Sequence, residues 1–132
     1  MWGDPMPVNQ DALFFFDGRP GALALYDALA GRLLAEYPET EIRVQKMQIG
    51  FYDGHMYACA SLAPVRRKAE RPDPFLTVTF GLEEPIASPR LVCVPIRANR
   101  YTHHALLGRA EDIDGELLAW IRASHDLAKR KR

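Results

Sequence analysis

At Glu41 the apolar residues change their rhythm, and that change limits what the chain can fold into. Before it, Ala22, Tyr26, Leu29, Leu33 and Tyr37 recur at spacings of three and four, with Leu25 alongside, which marks one face of a helix. After it, apolar and polar side chains alternate in short runs, at 41–52, 57–62, 75–80, 91–97 and 101–107, separated by turn residues. Helical spacing then returns with Ile113, Leu117, Trp120, Ile121 and Ser124. The order is therefore helix, about five strands, helix. Strands joined by short turns give a mostly antiparallel sheet. Two amphipathic helices cover one face of such a sheet and leave the other to water or a partner. The expected fold is an α+β two-layer sandwich with the N- and C-terminal helices packed on one face.

Local signals set the boundaries. Pro20 fits a first helical turn, where its missing N–H is not needed, and Tyr37-Pro38 stops that helix, so a helix is expected over 20–36. Residues 1–12 hold two prolines and no periodicity and read as an extended lead-in; the apolar run 13–16 reads as a pin onto the body or a brief edge strand. A single domain is expected over 13–128, followed by a basic tail at 129–132. Asp53-Gly54 is a hairpin signal. Glu111, Asp112, Asp114 and Glu116 crowd the start of the last helix, expected over 111–128, and suit the helix dipole.

One stretch resists a flat strand. Ile42 and Val44 share one parity, whereas Met47, Ile49 and Phe51 share the other. A slip of one residue flips every side chain, so one strand cannot bury both sets. A bulge near Gln45-Lys46 would bring all five to one side and turn Lys46, Gln48 and Tyr52 to the open side.

Composition bears mainly on what the chain is not. With 48% apolar and 26% charged residues, a packed core rather than disorder is expected. Outside residues 129–132 the body carries 13 basic and 17 acidic side chains, which argues against nucleic acid as a partner. Cys59 and Cys93 lie in apolar strand-like runs, with no CxxC pair, and read as small buried hydrophobes. No apolar run nears the roughly 18 residues of a membrane helix, and no secretory signal is visible, so a cytoplasmic location is expected.

The search for chemistry is similarly restrictive. Gly18-Arg19-Pro20-Gly21 enters a helix but matches neither phosphate-binding glycine pattern, so no nucleotide cofactor is expected. Nucleophile elbows and zinc signatures are missing too. His103 and His104 are adjacent; on a strand, neighbours point to opposite faces, so the pair does not ligate one metal, and no metal is expected. One of the two must face the open side. Together with Lys46, Gln48 and Tyr52, and with Arg97 and Arg100 from the later hairpin, it would form a polar cluster suited to an anion or a peptide backbone.

Several short segments occur in an order that resembles the DUF5655 family of uncharacterised bacterial domains. They are Phe16-Asp17-Gly18-Arg19-Pro20 with Ala22-Leu23-Ala24-Leu25-Tyr26; Lys46-Met47-Gln48-Ile49-Gly50-Phe51-Tyr52; Leu76-Thr77-Val78-Thr79-Phe80-Gly81-Leu82; Tyr101-Thr102-His103-His104; and Asp114-Gly115-Glu116-Leu117-Leu118-Ala119-Trp120-Ile121. Tyr101 stands where the resemblance leads one to expect tryptophan. The resemblance implies no activity, cofactor or partner, but it places Lys46, Gln48, Thr102, His103 and His104 inside recognisable motifs. Three functional readings follow. The first is a non-catalytic module whose open sheet face binds an anionic small molecule or a protein segment. The second is a hydrolase or transferase with His103 or His104 as base and Lys46 as electrostatic stabiliser. The third is a structural domain that dimerises through the sheet face.

Overall fold

A computed structural model of the chain describes residues 9–131. The elements in order are α1 (Gln10–Phe15), α2 (Pro20–Glu36), β1 (Glu41–Val44), β2 (Ile49–Asp53), β3 (His55–Ser61), β4 (Leu76–Leu82), β5 (Leu91–Arg97), β6 (Arg100–Leu107) and α3 (Gly115–Lys129). The six strands form one antiparallel sheet in the order β1-β2-β3-β4-β6-β5. The architecture is α+β, as the periodicity predicts, with one strand more than expected.

The extra strand comes from the parity conflict, which a chain reversal resolves where a bulge was expected. β1 ends at Val44, the chain turns through residues 45–48, and β2 returns with Val44 opposite Ile49 and Ile42 opposite Phe51. Gln45 N–H donates to Gln48 C=O at 2.8 Å to close the turn. Partners across a ladder share a face whatever their sequence parity, so Ile42, Val44, Ile49 and Phe51 meet on one side. Met47 sits at the turn and is 76% exposed, so it does not join them. A register shift does occur one strand later. Phe51 pairs with Ala58 but Tyr52 with Met56, so Tyr57 is the additional residue. Tyr57 and Ala58 are both buried as a result.

Near the N-terminus the expected extended chain and edge strand are replaced by α1. Asn9 caps it, its side chain accepting from Ala12 N–H at 3.0 Å. Ala12 and Phe16, four residues apart, are buried on one side, while Leu13 and Phe14 face water. Residues 1–8 of the expected lead-in lie outside the described residues.

Helix α2 keeps its expected bounds and buries Leu25, Tyr26, Leu29 and Leu33. Helix α3 starts later than its acidic cluster suggested. Residues Ala110–Asp112 form a 3₁₀ turn in which the Asp112 carboxylate accepts from Gly108 and Arg109 N–H, and Asp114 caps α3 by accepting from Leu117 N–H at 3.0 Å. Arg90 clamps this corner, donating to both Asp114 oxygens, to Glu116 and to Asp112 C=O.

Both long helices lie on the same face. Tyr26 of α2 stacks on Phe51, and Trp120 of α3 stacks on Phe80. The pairs Phe51–Ala58, Ala60–Val78 and Val78–Ala105, with strand alternation, put Phe51, Ala60, Val78, Phe80, His103 and Ala105 on that one side. Leu29, Leu33, Leu117 and Ile121 are fully buried there, each worth about 1.5–3 kcal/mol of transfer free energy. The β3–β4 ladder is short, with three pairs from Ser61–Thr77 to Cys59–Thr79. Beyond them Ser124 of α3 joins the strands: its hydroxyl donates to Tyr57 C=O at 2.6 Å and accepts from Gly81 N–H at 3.2 Å.

Candidate functional site

On the face opposite the helices, ladder partners line up in rows. Gly50, Cys59, Thr79 and His104 form one row across β2, β3, β4 and β6; Ser61, Thr77 and Leu106 form the next. Small and hydroxylic side chains hollow out the surface. Leu62, Ala63 and Pro64 rise at one end, held by the Thr77 hydroxyl donating to Ala63 C=O at 2.7 Å. The result is a cavity of about 450 Å³ with Lys46, Gln48, Cys59, Ser61, Thr79 and His104 as its polar groups. Phe15, Met47, Leu62 and Pro64 supply the apolar wall. That mixture, a mostly apolar hollow with a few convergent polar groups, is the usual make-up of a small-molecule site.

Hydrogen bonds organise the floor. His104 Nδ1 meets Thr79 Oγ1 at 2.8 Å, and this bond engages only one of its two ring nitrogens. The Cys59 thiol lies 3.6 Å from Gln48 Oε1 as a weak donor. Gln48 Nε2 in turn reaches Gln45 Oε1 at 3.3 Å and the Met56 sulfur at 3.6 Å, so its amide is oriented from both ends. Burial draws the His104 imidazole below its ordinary pKa. Burial pushes the Cys59 thiol up, against a smaller opposing effect of a hydrogen bond with Thr79. Both groups are therefore neutral near pH 7. Lys46, exposed on the turn, is the one charged side chain among the described residues that line this cavity.

The seven candidate residues do not all meet. Lys46, Gln48 and His104 line the cavity. Tyr52 lies on the same face but is engaged elsewhere: Arg43 sits 4.0 Å over its ring, and the ring occupies the space where Gly50 has no side chain. His103 points the other way, into the core, where it is fully buried, lies parallel to Phe80 with ring centres 5.6 Å apart, and accepts from Ile86 N–H through Nε2 at 3.0 Å. Arg97 and Arg100 sit in the β5–β6 hairpin, at the opposite end of the sheet from the 45–48 turn, and do not line this cavity. Ser61 and Thr79 are additions that sequence reasoning did not single out. For Thr79 the signal was the alternation Leu-Thr-Val-Thr-Phe in β4, which places Thr77 and Thr79 opposite the core face. Cys59 is buried, as its apolar run suggested, although it lies on the open face, whereas Cys93 is only half-buried on β5 at the edge of the sheet.

Other sequence features fall away from the cavity. Arg67 pairs with Glu70, Lys129 with Asp53 and Arg130 with Glu83, so these members of the two basic runs have acidic partners. Among the described residues, no three His, Cys, Asp or Glu side chains are grouped to hold a metal ion, and no helix is long and apolar enough to cross a membrane.

A family model described as a domain of unknown function, DUF5655, matches residues 14–128. The chain belongs to the DUF5655 family. No curated protein and no solved structure matches it. In this DUF5655 chain three of the five segments that carry the likeness converge in space. Residues 46–52 supply the turn and β2, β4 supplies Thr79, and β6 supplies His104, all at one hollow on the open face.

Proposed function

We propose that this DUF5655 chain is a non-catalytic binding module whose open-face cavity holds a small molecule with an anionic group. The observation that supports it is the cavity of about 450 Å³ that gathers Lys46, Gln48 and His104 on the face left free by α2 and α3. Lys46 supplies the charge for an anion; the oriented Gln48 amide and the His104 ring supply direction; Phe15, Met47, Leu62 and Pro64 shed water around the ligand's apolar part. A thermal-shift screen against phosphates, nucleotides and carboxylates tests this. A ligand at 100 times its dissociation constant adds about 2.7 kcal/mol of stability. The expected result is a shift in the wild type that Lys46→Ala and His104→Ala each reduce. A flat screen on well-folded protein counts against the reading.

The 2.8 Å contact between Thr79 Oγ1 and His104 Nδ1 favours a second reading, a small hydrolase or transferase with His104 as base and Lys46 as stabiliser. A neutral imidazole beside a hydroxyl is the right starting form for general-base catalysis. Against it, His104 has no carboxylate orienter among the described residues that line the cavity. Turnover of an ester or phosphoester panel that is lost in both Thr79→Val and His104→Ala would move the reading from binding to catalysis.

A further inference from the structure

A second hollow lies where β3 and β4 part company. Its volume is about 200 Å³, and it shares the Cys59 and Thr79 walls with the first cavity. It runs towards the far end of α3, and its polar lining includes Arg100, Thr102 and Lys131, with no carboxylate among the described residues that line it. Gly81 adds a wall without a side chain.

Arg100 is the informative residue. Its Nη1 is turned outwards, donating to Asn99 C=O at 2.6 Å and lying 3.7 Å from Glu83. Its Nε is buried and has no hydrogen-bond partner among the described residues. A buried guanidinium N–H is seldom left unpaired in a native structure, because the donor has given up water for nothing. Arg100 lines the hollow, and a guanidinium is the group best suited to hold an oxyanion through parallel N–H donors. Thr102 is on the same strand and the same face, two residues along, and brings a hydroxyl donor. Lys131 brings a second positive charge from the opposite wall.

We propose that this cleft is an oxyanion subsite, binding a phosphate or carboxylate group between Arg100 and Lys131 with Thr102 as a further donor. The cleft takes such a group whatever occupies the His104 cavity, so the two sites stand or fall separately.

The test is a backbone-amide NMR titration of the full chain with inorganic phosphate and, separately, with acetate. Ionic strength is matched with chloride throughout. Saturable shifts centred on the Gly81 and Thr102 amides are expected with at least one of the two, and which one responds identifies the head group. Arg100→Gln should weaken that binding at least tenfold. Thr102→Val keeps the β-branched shape and should weaken it several-fold, so it serves if Arg100→Gln fails to fold. Arg109→Gln removes an equal charge from an exposed position and should leave binding intact. Shifts that never saturate, that chloride reproduces, or that survive in both Arg100→Gln and Thr102→Val would overturn the proposal.

Discussion

His103 and His104 are neighbours in the chain and opposites in environment. His103 is packed against Phe80 under α3 with no exposure, and a backbone N–H occupies its Nε2. His104 lines a hollow and is bonded to Thr79 through Nδ1. The contrast extends to the two faces of the sheet. The helix side is filled by large apolar side chains, and little there can change without leaving a void. The open side carries threonine, serine, cysteine and glycine, which leave a hollow. One face maintains the fold, and the other is left hollow.

Substitutions should separate the faces, beginning where the effect is largest. Ile121→Ala, on the helix side, removes a fully buried side chain and should cost about 2–5 kcal/mol, read from urea unfolding. His103→Ala comes next. It leaves the half-buried Ile86 N–H without an acceptor and opens a void beside Phe80, for a loss of about 3 kcal/mol in the same assay. His104→Ala should cost only about 1 kcal/mol, the net value of one hydrogen bond, while removing ligand-induced stabilisation. Lys46→Ala should stay within about 0.5 kcal/mol of wild type. If His104→Ala proves as damaging as His103→Ala, the two faces are not divided in the way described.

Acid sharpens the same comparison. Burial lowers the pKa of both histidines in the folded state, so the unfolded chain binds their protons more readily. Their stabilising contribution is whole above the unfolded value of about 6.5 and is lost as pH falls below it towards the folded values. Urea midpoints measured from pH 8 to pH 5 should therefore fall, and His103→Gln and His104→Gln should each flatten part of the slope. A separate loss is expected at lower pH. Hydrogen bonds from His125 and Lys129 hold Asp53 below the ordinary carboxylate range, so its contribution disappears as pH drops from about 4 through its folded value. Asp53→Asn should diminish that second step.

Much of the fold was legible because it rests on local signals. Helix α2 has a proline at its start and a Tyr-Pro stop, and Gly54 takes the positive φ that its turn requires. Strand β4 alternates cleanly. Two elements escaped for physical reasons. Residues 45–48 turn without glycine, proline, asparagine or aspartate, so only the parity conflict betrayed the reversal, and a bulge satisfied that conflict equally well. Helix α1 is too short for its apolar spacing to declare itself, since Ala12 and Phe16 make a single repeat. The site was legible in halves. Alternation required one of His103 and His104 to face outwards, but register against β4 and β5 decided which.

What the sequence by itself determined about this protein is the class of fold, the division of the sheet into a covered and an open face, and the opposed directions of the two histidines. All of these follow from periods of 3.6 and 2 that any stretch of chain expresses locally. Only the tertiary structure decided that Lys46, Gln48 and His104 share a hollow while Arg97 and Arg100 stand at the other end of the sheet. That depends on strand order and on hairpin pairing between residues far apart in sequence, and no local period encodes it.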